Sequence, residues 1–136
     1  MFSSVHNWND VRIFHKEAKS LSKKYQIELH APANFRLKSI DSIKIVGLPK
    51  WYKFPERRKI RKKLWQRIKV SNADIFHFHD PELLFIGLKI KIFMRKKVIY
   101  DVHEDIYKQL KNKEYLNKFS KLTLLLCFQI IERFSI

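Results

Sequence analysis

Two histidines and two carboxylates stand together in residues 73–90, ADIFHFHDPELLFIGLKI, where an apolar run ends. They are His77, His79, Asp80 and Glu82. Imidazole and carboxylate groups can exchange protons, bind hydroxyl groups or hold metal ions, so the cluster is a candidate site. The alternative is ordinary strand and helix-cap chemistry, with Asp80 as an N-cap and Glu82 favouring the first-turn dipole.

A further histidine, His103, stands at the end of a second apolar run, KKVIYDVH at 96–103. Both runs are typical of strands, which places His79 and His103 at strand ends. Ligands of open parallel sheets bind at the carboxyl ends of the strands, so this location suits a site. The alternative for His103 is a strand-end histidine that is hydrogen-bonded to the backbone.

Helices and strands alternate along the chain. Helices are predicted at 10–24, after Pro55, from Pro81 and over about 115–134, and strands at 25–32, 42–49, 73–79 and 96–103. This alternation predicts an α/β fold, with a parallel sheet covered by helices on both faces. Because only MFSSVHNW precedes the first helix, we expect the first strand to be truncated.

Two of these helices carry an apolar stripe at helical spacing. The stripes are Val11, Phe14, Ala18 and Leu21 in the first helix, with Asp10 as its N-cap, and Ile60, Leu64, Trp65 and Ile68 in the segment after Pro55.

The composition indicates one domain over residues 1–136, in which 46% apolar residues suffice for a core. Two glycines exclude the usual glycine-rich phosphate loop. The single cysteine, Cys127, suits a reducing compartment and is interpreted as core filler. The start has no signal-peptide pattern, and the longest apolar run, 122–131, is too short to cross a membrane. We therefore expect a cytoplasmic location.

The net charge of +16 is concentrated in residues 50–69, which hold ten basic residues and one acid. Such a segment is a solvated helix face, a contact for anionic lipid or a contact for nucleic acid. The candidate membrane-surface residues are Lys50, Trp51, Lys53, Arg57, Arg58, Arg61, Lys62 and Trp65.

Three stretches, SVHNWNDVRIFHKEAKSL, ADIFHFHDPELLFIGL and KKVIYDVHEDIYKQL, together resemble the amino-terminal half of family-4 retaining glycosyltransferases, especially the capsule, O-antigen and exopolysaccharide branch. The resemblance implies a Rossmann-like domain that forms one half of a GT-B architecture, the acceptor-side half. Because the resemblance covers only this half, we expect a fragment that lacks the carboxy-terminal, donor-binding domain and has little activity of its own.

The resemblance also implies hexosyl transfer from a nucleotide-sugar to a saccharide or lipid-linked saccharide, with retention, at the inner membrane face and without a metal or other cofactor. It assigns His103 to the reacting carbon of the donor sugar, where a hydrogen bond could stabilise developing charge. His79, Asp80 and Glu82 would line the acceptor side. Asp10 and Arg12 would lie near the donor phosphates, with capping and solvation as their alternatives.

Three other interpretations stay open. HFHD could bind zinc, but further ligands would have to come from His103, Glu104 and Asp105, so we expect no metal. A small nucleic-acid-binding module would explain the charge, although no nucleic-acid motif is recognised. An inert gene fragment would explain the truncated first strand.

Overall fold

A computed structural model describes residues 1–50, 54–101, 117, 122, 123, 126 and 129 of the chain. The chain divides into two compact units, residues 1–71 and 72–136. In chain order the described elements are α1 (a π-helix at Val11–Ala18, then an α-helical turn at Lys19–Leu21), β1 (Ile27–Pro32), β2 (Leu37–Ile40), β3 (Ile43–Leu48), α2 (Phe54–Lys69), β4 (Ile75–Phe78), α3 (a 3-10 turn at Pro81–Leu83, an α-helix at Leu84–Lys89 and a π-helix at Ile90–Met94) and β5 (Lys97–Tyr100).

The described elements form a mixed α/β structure with one three-stranded and one two-stranded sheet. The predicted α/β class is therefore confirmed. The Rossmann-like arrangement and the single domain over 1–136 stay predictions. The predicted tail helix lies mostly outside the described residues, of which 122, 123, 126 and 129 are helical.

The three-stranded sheet has the order β1-β3-β2, with β1 parallel and β2 antiparallel to β3. We did not predict β2, so the expectation of an all-parallel sheet is wrong at this edge. Asp41 and Ser42 connect β2 to β3 with φ angles of 49° and 63°. A two-residue hairpin turn in which both residues have positive φ matches the twist of paired strands. This short connection therefore lets β2 pair with β3.

The first residues of the chain pair with the other edge of this sheet. Phe2 forms a parallel bridge with His30. The Ser3 N–H donates to the His30 carbonyl at 2.9 Å, and the His30 N–H donates to the Met1 carbonyl at 3.0 Å. The predicted stub of a first strand therefore lies beside β1.

Helix α1 covers the core of the first unit, although its apolar stripe differs from the predicted one. Val11 is 68% exposed, whereas Ile13 is buried together with Phe14 and Ala18. The wider turn of a π-helix, with its i→i+5 hydrogen bonds, brings Ile13 and Ala18 closer to one face than the 3.6-residue turn of an α-helix would. The buried core residues are Ile13, Phe14, Ala18, Leu29, Ala31, Ile43 and Ile45.

Helix α2 follows its predicted stripe more closely. Ile60, Leu64 and Ile68 are buried, and Trp65 is half-buried. Spacings of four residues place these side chains on one face of an α-helix. The basic residues between them therefore occupy the remaining faces.

The second unit contains the parallel pair β4–β5 and helix α3, and α3 begins at Pro81 as predicted. Phe76, Phe78 and Val98 are buried on the strands. At its carboxyl end α3 stops at Arg95, which has left-handed backbone angles of φ 52° and ψ 33°. A left-handed residue at this position ends a helix and turns the chain toward the next strand.

Candidate functional site

The carboxyl edge of the β4–β5 pair gathers the polar side chains of the second unit. The strands run in parallel, with Phe78 opposite Tyr100 as the last pair. The Asp101 N–H donates to the Phe78 carbonyl at 3.0 Å, which extends the ladder beyond the strand ends. His79 and Asp101 therefore each follow the last paired residue of neighbouring strands. This is the edge at which parallel sheets bind ligands.

Because successive side chains of a strand point to opposite faces, this edge has an apolar face and a polar face. Phe76 and Phe78 are buried on one face. His77 and His79 stand two residues apart on the other, with ring centroids 4.6 Å apart. The sequence left open whether both histidines would point to a cleft or into packing; in the structure their rings lie against each other and His79 is buried.

Asp101 completes a cluster of three with the two histidines. Its Oδ2 lies 3.4 Å from Nδ1 of His79, whose side chain is fully buried, whereas the Asp101 side chain is 30% exposed. One donor atom from each of His77, His79 and Asp101 lies within 4.8 Å of the others. These three are the described residues of this unit that could hold a metal ion.

Tyr100 borders the cluster from the apolar side. Its ring stacks on Phe78 with centroids 4.7 Å apart and an interplanar angle of 16°. Burial raises the pKa of the Tyr100 hydroxyl, and the negative charges of Asp80 and Asp101 raise it further. The hydroxyl therefore stays protonated at neutral pH and can donate a hydrogen bond.

Asp80 and Glu82 lie at the start of α3, as predicted. The Asp80 carbonyl accepts from the Leu83 N–H at 2.9 Å. Its side chain is buried but makes no capping hydrogen bond among the described residues. The capping alternative for Asp80 is therefore not supported by the structure. Glu82 is half-buried in the first turn, where a negative charge is favourable.

Asp10 caps α1 in the first unit. Its Oδ1 accepts from the N–H groups of Arg12 at 2.9 Å and Ile13 at 3.0 Å. Burial raises the pKa of the Asp10 carboxyl, but these hydrogen bonds and the charges of His6 and Arg12 outweigh it and hold the pKa below its ordinary value. A charged carboxylate at this helix end opposes a phosphate in the same place. The geometry favours capping over donor contact for Asp10.

Arg12 extends from the same helix end. Its Nη1 lies 3.7 Å from Oε1 of Glu17, and its side chain is 34% exposed. The guanidinium therefore has an acidic neighbour and also reaches solvent. Its predicted role near a donor phosphate stays a prediction.

Several predicted site residues lie outside the described part of the chain. These are His103, with the metal candidates Glu104 and Asp105, and the membrane-surface candidates Trp51 and Lys53. The other membrane-surface candidates are placed on or before α2: Lys50, Arg58 and Lys62 are exposed, and Arg57, Arg61 and Trp65 are half-buried. Within the described part of the chain, none of the helices has the length and hydrophobicity of a membrane-spanning segment.

Sequence analysis missed Asp101 and Tyr100 as candidates. Asp101 directly follows an apolar strand, which is the signal that selected His79. The prediction extended this strand to residue 103, whereas β5 ends at Tyr100. The position of a strand's last residue is poorly predicted from sequence, and here that uncertainty concealed Asp101.

The chain matches none of the family models and none of the curated proteins with which it was compared.

Proposed function

We propose that this chain is the acceptor-side domain of a retaining glycosyltransferase that transfers a hexosyl group from a nucleotide-sugar to a saccharide or lipid-linked saccharide. One observation carries the proposal. Imidazole and carboxylate groups from two neighbouring parallel strands and the following helix start meet at one sheet edge. That edge is where α/β sheets of this kind bind their substrates.

The side chains at this edge suit a saccharide. Sugar hydroxyls both donate and accept hydrogen bonds, so carboxylates and a phenol hydroxyl can orient them. In the proposal Asp80 and Glu82 accept from acceptor hydroxyls, and His79 holds the neighbouring Asp101 in place through their 3.4 Å contact. Tyr100, protonated at neutral pH, adds a donor at the border of the site.

His103 has the catalytic role in this proposal, through its resemblance to the active-site histidine of the family. A hydrogen bond to the donor sugar would stabilise charge as the phosphate leaves. In an enzyme that also carries a donor-binding domain, His103→Ala would lower turnover and leave the free energy of unfolding close to that of the parent.

Saccharide binding tests the proposal on the chain itself. Saturation-transfer NMR with a panel of mono- and disaccharides is expected to detect binding to the wild-type chain. Glu82→Gln and Asp80→Asn should weaken the signal, because an amide replaces a charged acceptor at nearly constant shape. Lys97→Gln is the matched control, since Lys97 is exposed at the amino end of β5. No signal for any saccharide, or equal signals in all four proteins, would contradict the proposal.

We infer a second role, contact with an anionic membrane surface, from the exposure pattern of α2. The helix buries Ile60, Leu64 and Ile68, and several of its basic side chains lie exposed on the other faces. The exposed basic residues are Arg58, Lys59, Lys62, Lys63 and Lys69. Each well-placed cation near an anionic leaflet contributes about 1 kcal/mol. Arg67 differs from this set, because its Nη1 donates to the Gly47 carbonyl at 3.3 Å.

Vesicle sedimentation tests this role. The chain should sediment with vesicles that contain phosphatidylglycerol and remain in solution with phosphatidylcholine alone. Replacing Lys62 and Lys63 with glutamate should weaken partitioning about 30-fold or more, as expected for the loss of two cations. Replacing Lys96 and Lys97 with glutamate changes the net charge by the same amount away from α2 and is the control. Equal binding to both kinds of vesicle would contradict the membrane role.

A further inference from the structure

Three side chains at the β4–β5 edge are close enough to share one metal ion. One donor atom from each of His77, His79 and Asp101 lies within 4.8 Å of the others. Donor atoms bound tetrahedrally to zinc at 2.0–2.1 Å lie about 3.3 Å apart. The 3.4 Å between Nδ1 of His79 and Oδ2 of Asp101 already matches that spacing. The other atom pairs need to approach by about 1.5 Å at most, a movement within the reach of side-chain rotation.

We propose that His77, His79 and Asp101 form a binding site for a divalent transition metal, with Zn²⁺ as the best-fitting ion. Two imidazoles and one carboxylate are a usual donor set for zinc sites that keep a fourth position open for solvent or substrate. Mg²⁺ and Ca²⁺ require six or more oxygen ligands, which this cluster does not supply. The donor set therefore selects for nitrogen-preferring ions such as Zn²⁺, Ni²⁺ and Co²⁺.

The backbone holds the three ligands in place before any ion binds. His77 and His79 share one face of β4 and its extension, and their rings are 4.6 Å apart. Asp101 is held beside them by the hydrogen bond from its N–H to the Phe78 carbonyl. Ligands carried on paired strands lose little freedom on binding, which favours affinity.

This ligand set differs from the one that the sequence suggested. A zinc site at HFHD would have needed further ligands from residues 103–105, and we expected no metal. The structure instead supplies a carboxylate from the end of β5. The metal proposal does not rest on the proposed transferase function, whose family resemblance implies transfer without a metal, so each is tested separately.

Titration of the full chain with CoCl₂, followed by visible absorption, tests the site. We expect one Co²⁺ per chain, displaced by equimolar ZnCl₂ and retained in excess MgCl₂. His77→Gln and Asp101→Asn should each weaken binding at least about tenfold, because even partners outside the first ligand shell change metal affinity by 10- to 100-fold. His15→Gln is the matched control, since His15 is exposed on α1. Far-UV circular dichroism verifies that each variant is folded.

A second measurement needs no variant. Paramagnetic Co²⁺ should broaden the backbone amide signals of residues 76–80 and 99–101 in the NMR spectrum of the wild-type chain. Broadening centred elsewhere, an absence of Co²⁺ binding, or affinity unchanged in His77→Gln and Asp101→Asn would overturn the proposal.

Discussion

Each unit of the molecule holds a histidine beside a carboxylate, on a strand in the first unit and just beyond two strand ends in the second, but the surroundings of the two pairs differ. On β1, Nε2 of His30 lies 2.6 Å from Oε1 of Glu28, and Nζ of Lys44 donates to Oε2 of the same carboxylate at 2.6 Å. At the β4–β5 edge, His79 lies 3.4 Å from Asp101 and has a second imidazole, that of His77, beside it.

The pair on β1 belongs to a structural ion cluster, whereas the pair at the β4–β5 edge belongs to a candidate site. Glu28 and Lys44 are directly paired across β1 and β3, so strand register itself supplies the counter-charge. Burial raises the pKa of Glu28, but hydrogen bonds from Lys44 and His30 and their charges lower it below its ordinary value. Beside His79 and Asp101 the neighbour is the imidazole of His77 instead of a lysine, so the three side chains together offer donor atoms to a cation.

The largest expected effect on stability comes from comparing a core residue of β4 with a candidate-site residue of the same strand. Phe78→Ala should lower the free energy of unfolding by about 3–5 kcal/mol, because it leaves a cavity where a fully buried ring stood. His77→Gln, on the polar face of the same strand, should change it by less than about 1 kcal/mol. Urea unfolding followed by circular dichroism measures both values. Similar losses in the two variants would show that the polar face is also core.

Zinc distinguishes the two His–carboxylate pairs directly. At a zinc concentration of 100 times the dissociation constant, the wild-type chain should gain about 2.7 kcal/mol of stability. The gain should fall by about 1.3 kcal/mol or more in Asp101→Asn, whose site binds at least about tenfold more weakly, and should persist in Glu28→Gln, because only the first variant removes a proposed ligand. Thermal unfolding with and without ZnCl₂ measures it. Loss of the gain in Glu28→Gln alone would reverse the assignment of the two pairs.

Removing the Asp10 cap should have a smaller effect. Asp10→Ala should cost about 1 kcal/mol, because two backbone N–H groups lose their acceptor. The pKa of Asp10 is lowered in the fold from 3.8, so its charged form adds stability above that pH, and this stability is lost as the pH falls through the folded value.

Acid titration of stability checks this sign. Asp10→Asn keeps a capping oxygen and should retain most of the stability near pH 7, while its stability depends less on pH below about 4. An Asp10→Ala variant as stable as the parent would mean that the cap contributes nothing to folding.

The smallest expected effect concerns the ion cluster of the first unit. Lys44→Gln should cost about 1 kcal/mol or less, because the pair with Glu28 is exposed to solvent. The pKa of Glu28 is lowered from 4.5, so the difference between parent and variant should be largest above that pH and shrink as the pH falls. It should also decrease in high salt. A difference that is independent of salt and pH would indicate lost packing instead of lost charge.

The sequence predicted helices correctly where apolar residues recurred at helical spacing or where a proline marked the start of the helix. The burial of Ile60, Leu64 and Ile68 in α2 and the start of α3 at Pro81 agree with prediction, because both depend on local spacing and on the fixed φ of proline. The β2–β3 hairpin was missed because Asp41 and Ser42 adopt positive φ without the usual Asn-Gly or Gly signal.

The residues of the candidate site also fall into two groups, those recognised from local sequence and those found only in the structure. His77, His79, Asp80 and Glu82 were recognised from residue type at a strand end, which is local information. Asp101 joined them only through the register of β4 with β5, and register depends on contacts between segments 22 residues apart or more. Sequence alone thus determined the α/β class and which residue types were available for chemistry. Tertiary structure decided which of them meet, because distances between side chains on different strands are set by backbone pairing and core packing.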